Sequence, residues 1–124
     1  MSNYLLLISI LLSGLSVVFG AFGAHKFKVI LDEVGRSDTY DTAVLYQMFH
    51  SLAMILTFLL GKAMNINVDL CLKLFLVGIV LFSGSLYIYS LNGPKWLAHI
   101  TPLGGLFFIF GWISLFVKVF SIKN

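Results

Sequence analysis

Residues 42–61, TAVLYQMFHSLAMILTFLLG, run for 20 positions without a charged side chain. A helix rises about 1.5 Å per residue, so this stretch covers the roughly 30 Å hydrocarbon thickness of a bilayer. Within it Ala43, Gln47, His50, Met54, Thr57 and Gly61 recur at spacings of 4, 3, 4, 3 and 4. At helical period these small and polar groups fall on one stripe, while Leu45, Phe49, Leu52, Leu56 and Leu59 take the other faces. A bare polar group in hydrocarbon is costly, so the stripe is predicted to face protein and the leucines to face lipid.

Three more blocks share this character. Residues 4–24 and 74–92 carry no charge, and 100–117 is a fourth such run, read as a span from 100 to 120. Composition agrees: the chain is 60% hydrophobic and 10% charged, with a mean hydropathy of +1.02. No block alternates as a barrel strand does. The expectation is an all-α, integral membrane four-helix bundle, with residues 1–124 forming a single transmembrane domain. The longest connector, 25–41, is too short to bury a core, which excludes a soluble catalytic domain within this sequence. The net charge of +3 is scattered near span ends, a pattern of membrane flanks and not of a nucleic-acid surface. The first block is read as a retained span, because residues 1–3 carry no basic side chain and the apolar run exceeds a signal peptide's. Cys71 is the one cysteine, so no internal disulfide or CxxC pair exists, and it reads as an ordinary residue at a helix end.

Each span has its own packing signature. In span one, Ser9, Ser13, Ser16, Gly20 and Gly23 form a small-residue seam that lets another helix approach. Phe27, Ile30, Leu31 and Val34 then suggest a short amphipathic helix ended by Gly35, with Ser37 or Asp38 capping the next helix. Span three holds Gly78 and Ser83-Gly84-Ser85 and ends in an Asn92-Gly93-Pro94 turn, followed by Trp96 as an interfacial anchor. Thr101-Pro102 reads as an N-cap with proline at the first helical position, and Gly104, Gly111 and Ser114 share a face of span four. An even number of spans puts both termini on one side. Lys62, Lys73, Lys118 and Lys123 lie there, against Lys26, Lys28, Arg36 and Lys95 on the other, a tie. Asp32, Glu33, Asp38 and Asp41 neutralise the second side, which favours cytoplasmic termini.

Chemistry, if present, rests on histidine. His25, His50 and His99 all thread to one half of the bilayer, with Tyr46 and Gln47 beside His50. Histidine binds metal or haem and relays protons, so His25, Tyr46, Gln47 and His50 form the candidate polar site, with His25, His50 and His99 as candidate metal ligands. The alternative is that His50 and Gln47 are hydrogen-bonding glue between helices, and that His25 and His99 sit at the interface without a task. No catalytic residue is assigned: HExxH, paired-carboxylate, phosphate-loop and nucleophile-elbow patterns are absent, and every Asp and Glu lies outside the apolar blocks.

Four stretches resemble one family: GAFGAH at 20–25, TAVLYQMFH at 42–50, LFSGSLY at 81–87, and TPLGG at 101–105 with Gly111-Trp112. In order and across nearly the whole chain, they look like domain-of-unknown-function family 423, the YgdD-like small membrane proteins. The resemblance implies a four-helix protein of the bacterial inner membrane and supplies no catalytic residue, substrate or cofactor. It matches the family's motif histidines to His25 and His50 and its Tyr-Gln pair to Tyr46-Gln47, and leaves His99 outside. Many members carry Arg where this chain has Leu45, so any charge pairing by that Arg is missing here. The expected function is therefore non-enzymatic, supporting membrane or envelope integrity or binding lipids, further copies or other membrane proteins. The alternatives are a small transporter or channel subunit, and a haem- or metal-binding redox component using His50.

Overall fold

The computed structural model describes residues 3–123. Its helices are α1 (Asn3–Ala24), α2 (Lys28–Val34), α3 (Ser37–Met64), α4 (Asp69–Gly78), α5 (Gly84–Ser90) and α6 (Thr101–Lys123). A π-helical turn, Ile79–Ser83, joins α4 to α5 into one rod, and a 3-10 turn, Lys95–His99, leads into α6. Among the described residues, four helical rods are long and apolar enough to cross a membrane: Asn3–Ala24, Ser37–Met64, Asp69–Ser90 and Lys95–Ile122. The second and third begin a turn or more before their uncharged blocks. Asp38, Asp41, Asp69 and Lys73 thus sit in terminal turns, where side chains reach headgroups or water.

Local chemistry explains where the helices stop. Gly35 takes a left-handed conformation (φ 75°) and ends α2, with the Arg36 amide returning to the Leu31 carbonyl. Asn65 does the same for α3 at φ 55°, and Ile66 N–H closes back onto Gly61. The expected Ser37 or Asp38 cap does not form. Arg36 occupies the cap position without a side-chain bond, and both residues lie inside the helix. Thr101 is not a cap either: its hydroxyl donates to the Leu97 carbonyl and pairs with Ser85 Oγ at 2.7 Å.

The spans pack in chain order. α1 lies along α3, α3 lies against the third rod, and that rod lies against α6. The middle two spans are therefore the most buried and the outer two the most exposed. The stripe of α3 is its buried face: Ala43, Gln47, His50, Met54, Thr57 and Gly61 are all inside. Leu45, Phe49, Leu52, Leu56 and Leu59 are exposed. The apolar core gathers Met54 and Phe58 of α3 with Leu72 and Phe75 of α4 and Phe108 of α6. Cys71 is fully buried beside them and its thiol reaches Ser114 Oγ at 3.3 Å, so it belongs to the core although it lies near a helix end.

At the end where α1 runs into α2, Arg36 ties two connectors together. Its Nη1 donates to the carbonyls of Tyr89 (2.6 Å) and Gly93 (3.3 Å), and its guanidinium lies 4.0 Å above the Tyr89 ring. It thereby satisfies the Tyr89 carbonyl at the end of α5 and the Gly93 carbonyl in the turn that follows.

Glycine makes two of the helix contacts possible. A β-carbon at Gly104 would fall on the backbone of Leu81 and Phe82, and one at Gly23 would fall on the Tyr40 ring. At Gly84, by contrast, a β-carbon meets nothing within 4 Å, so this glycine, expected at a helix contact, is not in one. Gly104→Ala should therefore destabilise the protein by about 1–3 kcal/mol through overpacking against backbone. Gly84→Ala should be neutral or up to about 1 kcal/mol stabilising, through helix propensity alone. Thermal unfolding of both variants in the same detergent measures the contrast.

Candidate functional site

His50 stands on the buried stripe of α3 and is 4% exposed. Its Nδ1 lies 3.0 Å from the Tyr46 carbonyl, one turn back along the helix, and must carry the proton there because a carbonyl only accepts. Nε2 is then the acceptor, and it takes a hydrogen bond from Trp112 Nε1–H of α6 at 3.0 Å. The two bonds together assign the neutral Nδ1–H tautomer. The ring stacks on Phe108 at 3.6 Å between centroids and 10° between planes, with Phe75 on another side. Both ring nitrogens are engaged within the protein, so neither is free to ligate a metal or haem iron.

Gln47, one turn away, faces different helices. Its Nε2 donates to the Leu12 carbonyl of α1 at 2.9 Å, and its Oε1 accepts from the Tyr87 hydroxyl of α5. One amide thus joins three spans. Around it Ser83 Oγ donates to the Ala43 carbonyl (2.8 Å), Ser13 Oγ donates to Ser51 Oγ (3.0 Å), and the Tyr40 hydroxyl donates to the Phe19 carbonyl. Ser83 is the last residue of the π turn, whose extra residue per turn sets Ser83 against α3 while Phe82 reaches towards Tyr46 and Phe108.

Of the four residues expected to form a polar site, Tyr46 and His50 are brought together, their rings 6.0 Å apart, whereas Gln47 and His25 lie elsewhere. Gln47 bonds to α1 and α5, His50 bonds to α6, and Tyr46 is 39% exposed on the outer surface. His25 is exposed in the turn after α1, and His99 is exposed at the end of the 3-10 turn. Among the described residues, no group of three or more His, Cys, Asp or Glu is placed to hold a metal ion. Of the small residues expected at helix contacts, Ser13, Gly23, Gly104 and Gly111 meet neighbours across the bundle, the last against the Phe75 ring. Gly20 makes an ordinary contact with Val44, and buried Ser16 turns its hydroxyl back to the Ser13 carbonyl of its own helix.

A concavity was not legible from the motifs. α3 and α6 meet mainly through side chains, and between them lies a pocket of about 550 Å³ that opens on the bundle's outer surface. Tyr46, His50, Phe82, Phe108 and Trp112 form its aromatic wall, and Leu45, Phe49, Gly105 and Ile109 complete the lining. A second apolar hollow, about 630 Å³, continues along α3 beyond Phe49 and Trp112. Sequence reasoning missed Trp112 as a partner of His50. Its position in the middle of an apolar span was the available signal, because an indole N–H at that depth needs an acceptor.

These observations meet their comparison in known sequences. The family model described as "Protein of unknown function (DUF423)" matches residues 19–105. The chain belongs to the DUF423 family. It is similar to a UPF0382 membrane protein of Staphylococcus haemolyticus, 42% identical over 107 residues, covering 86% of this chain and 87% of that one. A UPF0382 membrane protein of Haemophilus influenzae is 40% identical over 124 residues, covering 99% and 98%. The Bacillus subtilis protein YwdK, also a UPF0382 membrane protein, is 42% identical over 105 residues, covering 83% and 85%. No solved structure matches. With four membrane-length apolar helices and relatives named as membrane proteins, this DUF423 member is an integral membrane four-helix bundle.

The His50–Trp112 bond makes a direct prediction. Trp112→Phe leaves Nε2 of a buried imidazole without a donor and should cost about 1–3 kcal/mol. His50→Phe with Trp112→Phe removes both polar atoms and should recover part of that loss. Equilibrium unfolding in mixed micelles, run as a double-mutant cycle, should give a coupling of about 0.6–1.7 kcal/mol.

Proposed function

We propose that this DUF423 member is a non-enzymatic protein of the bacterial inner membrane that binds lipid along its lateral surface and so supports envelope integrity. The observation that carries this reading is the closure of its interior polar groups on one another. Gln47, Ser83 and Tyr87 spend their hydrogen bonds on other spans, and His50 divides its two between its own helix and α6. A carrier or pore reading draws no support from such an interior, since it needs polar groups that a solute can engage. A haem or metal reading needs a ring nitrogen of His50 that Trp112 and the Tyr46 carbonyl already occupy. What is open is apolar and lies on the outside, between α3 and α6.

We further infer that both termini lie on the cytoplasmic side. Arg36 is committed to the Tyr89 and Gly93 carbonyls, and Lys28 pairs with Asp32 at 3.3 Å. By count the basic residues tie, Lys26, Lys28, Arg36 and Lys95 against Lys62, Lys73, Lys118 and Lys123, but the loop side also carries Asp32, Glu33, Asp38 and Asp41 and the terminal side only Asp69. The terminal side thus has the larger net basic charge, which supports the reading that both termini are cytoplasmic.

Two measurements test the proposal. Protein purified in mild detergent should show no visible absorption band and substoichiometric metal. A band or a bound metal lost in His50→Ala would overturn the non-redox reading. A fluorescent-protein fusion at the C-terminus should be bright and an alkaline-phosphatase fusion there inactive; the reverse pattern overturns the orientation.

A further inference from the structure

We infer that the pocket between α3 and α6 is a site for one acyl chain of an ester-linked phospholipid, with the Tyr46 hydroxyl donating to its ester carbonyl. This inference deepens the lipid-binding reading above and rests on it. The volume, about 550 Å³, lies in the range of small-molecule sites. Phe49 and Ile109 at its edge are more than half exposed, so the opening is sideways, into the layer where acyl chains lie. Its depth fits one leaflet. On α3 the lining begins three residues inside the uncharged block, and on α6 it ends eleven residues after Thr101, which places it about 5–17 Å below the block's edge. Half the hydrocarbon thickness is about 15 Å.

The polar atoms of the pocket separate a lipid from a polar solute. His50 and Trp112 satisfy each other, so the deep wall offers a ligand only ring surface. Tyr46 differs. Its ring packs on Phe82 at 4.6 Å, yet its hydroxyl has no hydrogen-bond partner among the described residues. It lies at the shallow end of the pocket, about 6 Å inside the apolar block. A phenol at that depth requires an acceptor, and the acceptor that accompanies an acyl chain there is its ester carbonyl. Above this level the connector into α6 carries Lys95, exposed and without an ion pair among the described residues, a charge complementary to a lipid phosphate.

The test uses the full chain, delipidated in detergent, with Trp96→Phe so that Trp112 is the sole tryptophan. Phosphatidylglycerol brominated in mid-chain should quench Trp112 saturably, and unbrominated lipid should restore the emission. Gly105→Phe fills the pocket from a position whose β-carbon meets only Phe82, at 3.9 Å, so the variant is expected to fold. It should raise half-saturation at least about tenfold. Tyr46→Phe should weaken binding of the ester lipid by about fivefold and leave a brominated diether lipid unchanged. Saturable quenching that neither variant alters would overturn this pocket while leaving lipid binding elsewhere on the protein. Quenching that only tracks the mole fraction of brominated lipid would overturn both readings. Should Gly105→Phe fail to fold, the ester-against-ether comparison in Tyr46→Phe decides alone, and equal losses for both lipids overturn the inference.

Discussion

Hydrocarbon supplies no hydrogen-bond partner, and the rest of this structure follows from that constraint. A buried imidazole, a carboxamide and several hydroxyls lie within spans that must cross a bilayer. Each is stable there only if a carbonyl of its own helix or a group on another span meets it at hydrogen-bonding distance. Gln47 shows the consequence most fully, because Leu12 on one side and Tyr87 on the other determine where α1 and α5 sit around α3. His50 does the same for α6 through Trp112. Burial of apolar area cannot perform this role in a membrane, where lipid is as apolar as leucine. Polar pairs and close packing therefore carry the specificity.

Close packing is concentrated where side chains are smallest. Gly104 lets α6 approach the backbone of the third rod beside its π turn, and Gly23 admits the Tyr40 ring against α1. The π turn adds a second device. It changes the phase of the third rod at Phe82 and Ser83, so that one residue turns towards the aromatic wall and the next bonds α3. The order of packing, each span mainly on its sequence neighbour, leaves α3 and α6 joined by rings instead of backbone contact. The groove between them is thus a result of how the bundle closes.

Much of the fold was legible in the residues. The 4-3-4-3-4 stripe of α3 identified its buried face, because a regular helix converts that spacing into direction. The left-handed stops at Gly35 and Asn65 are likewise local events. The expected caps at Ser37, Asp38 and Thr101 do not form: α3 already begins at Ser37, which puts Ser37 and Asp38 inside the helix, and Thr101 pairs with Ser85 of another span. Gly84 failed similarly, since a glycine permits a close approach without requiring one.

The candidate site was less legible. Threading placed His25, His50 and His99 in one half of the membrane, but height along a helix says nothing about azimuth. The stripe of α3 already turned His50 inward, but only the assembled bundle gave it Trp112 as a partner and left His25 and His99 exposed. What the sequence by itself determined was the solvent, the four spans and the inward face of the second, all consequences of charge distribution and helical period. What only the tertiary structure decided was which polar group meets which, that His50 has no nitrogen to spare, and that a hollow opens between α3 and α6. Those outcomes depend on how separate helices are rotated and spaced against one another, and no single helix encodes that relation.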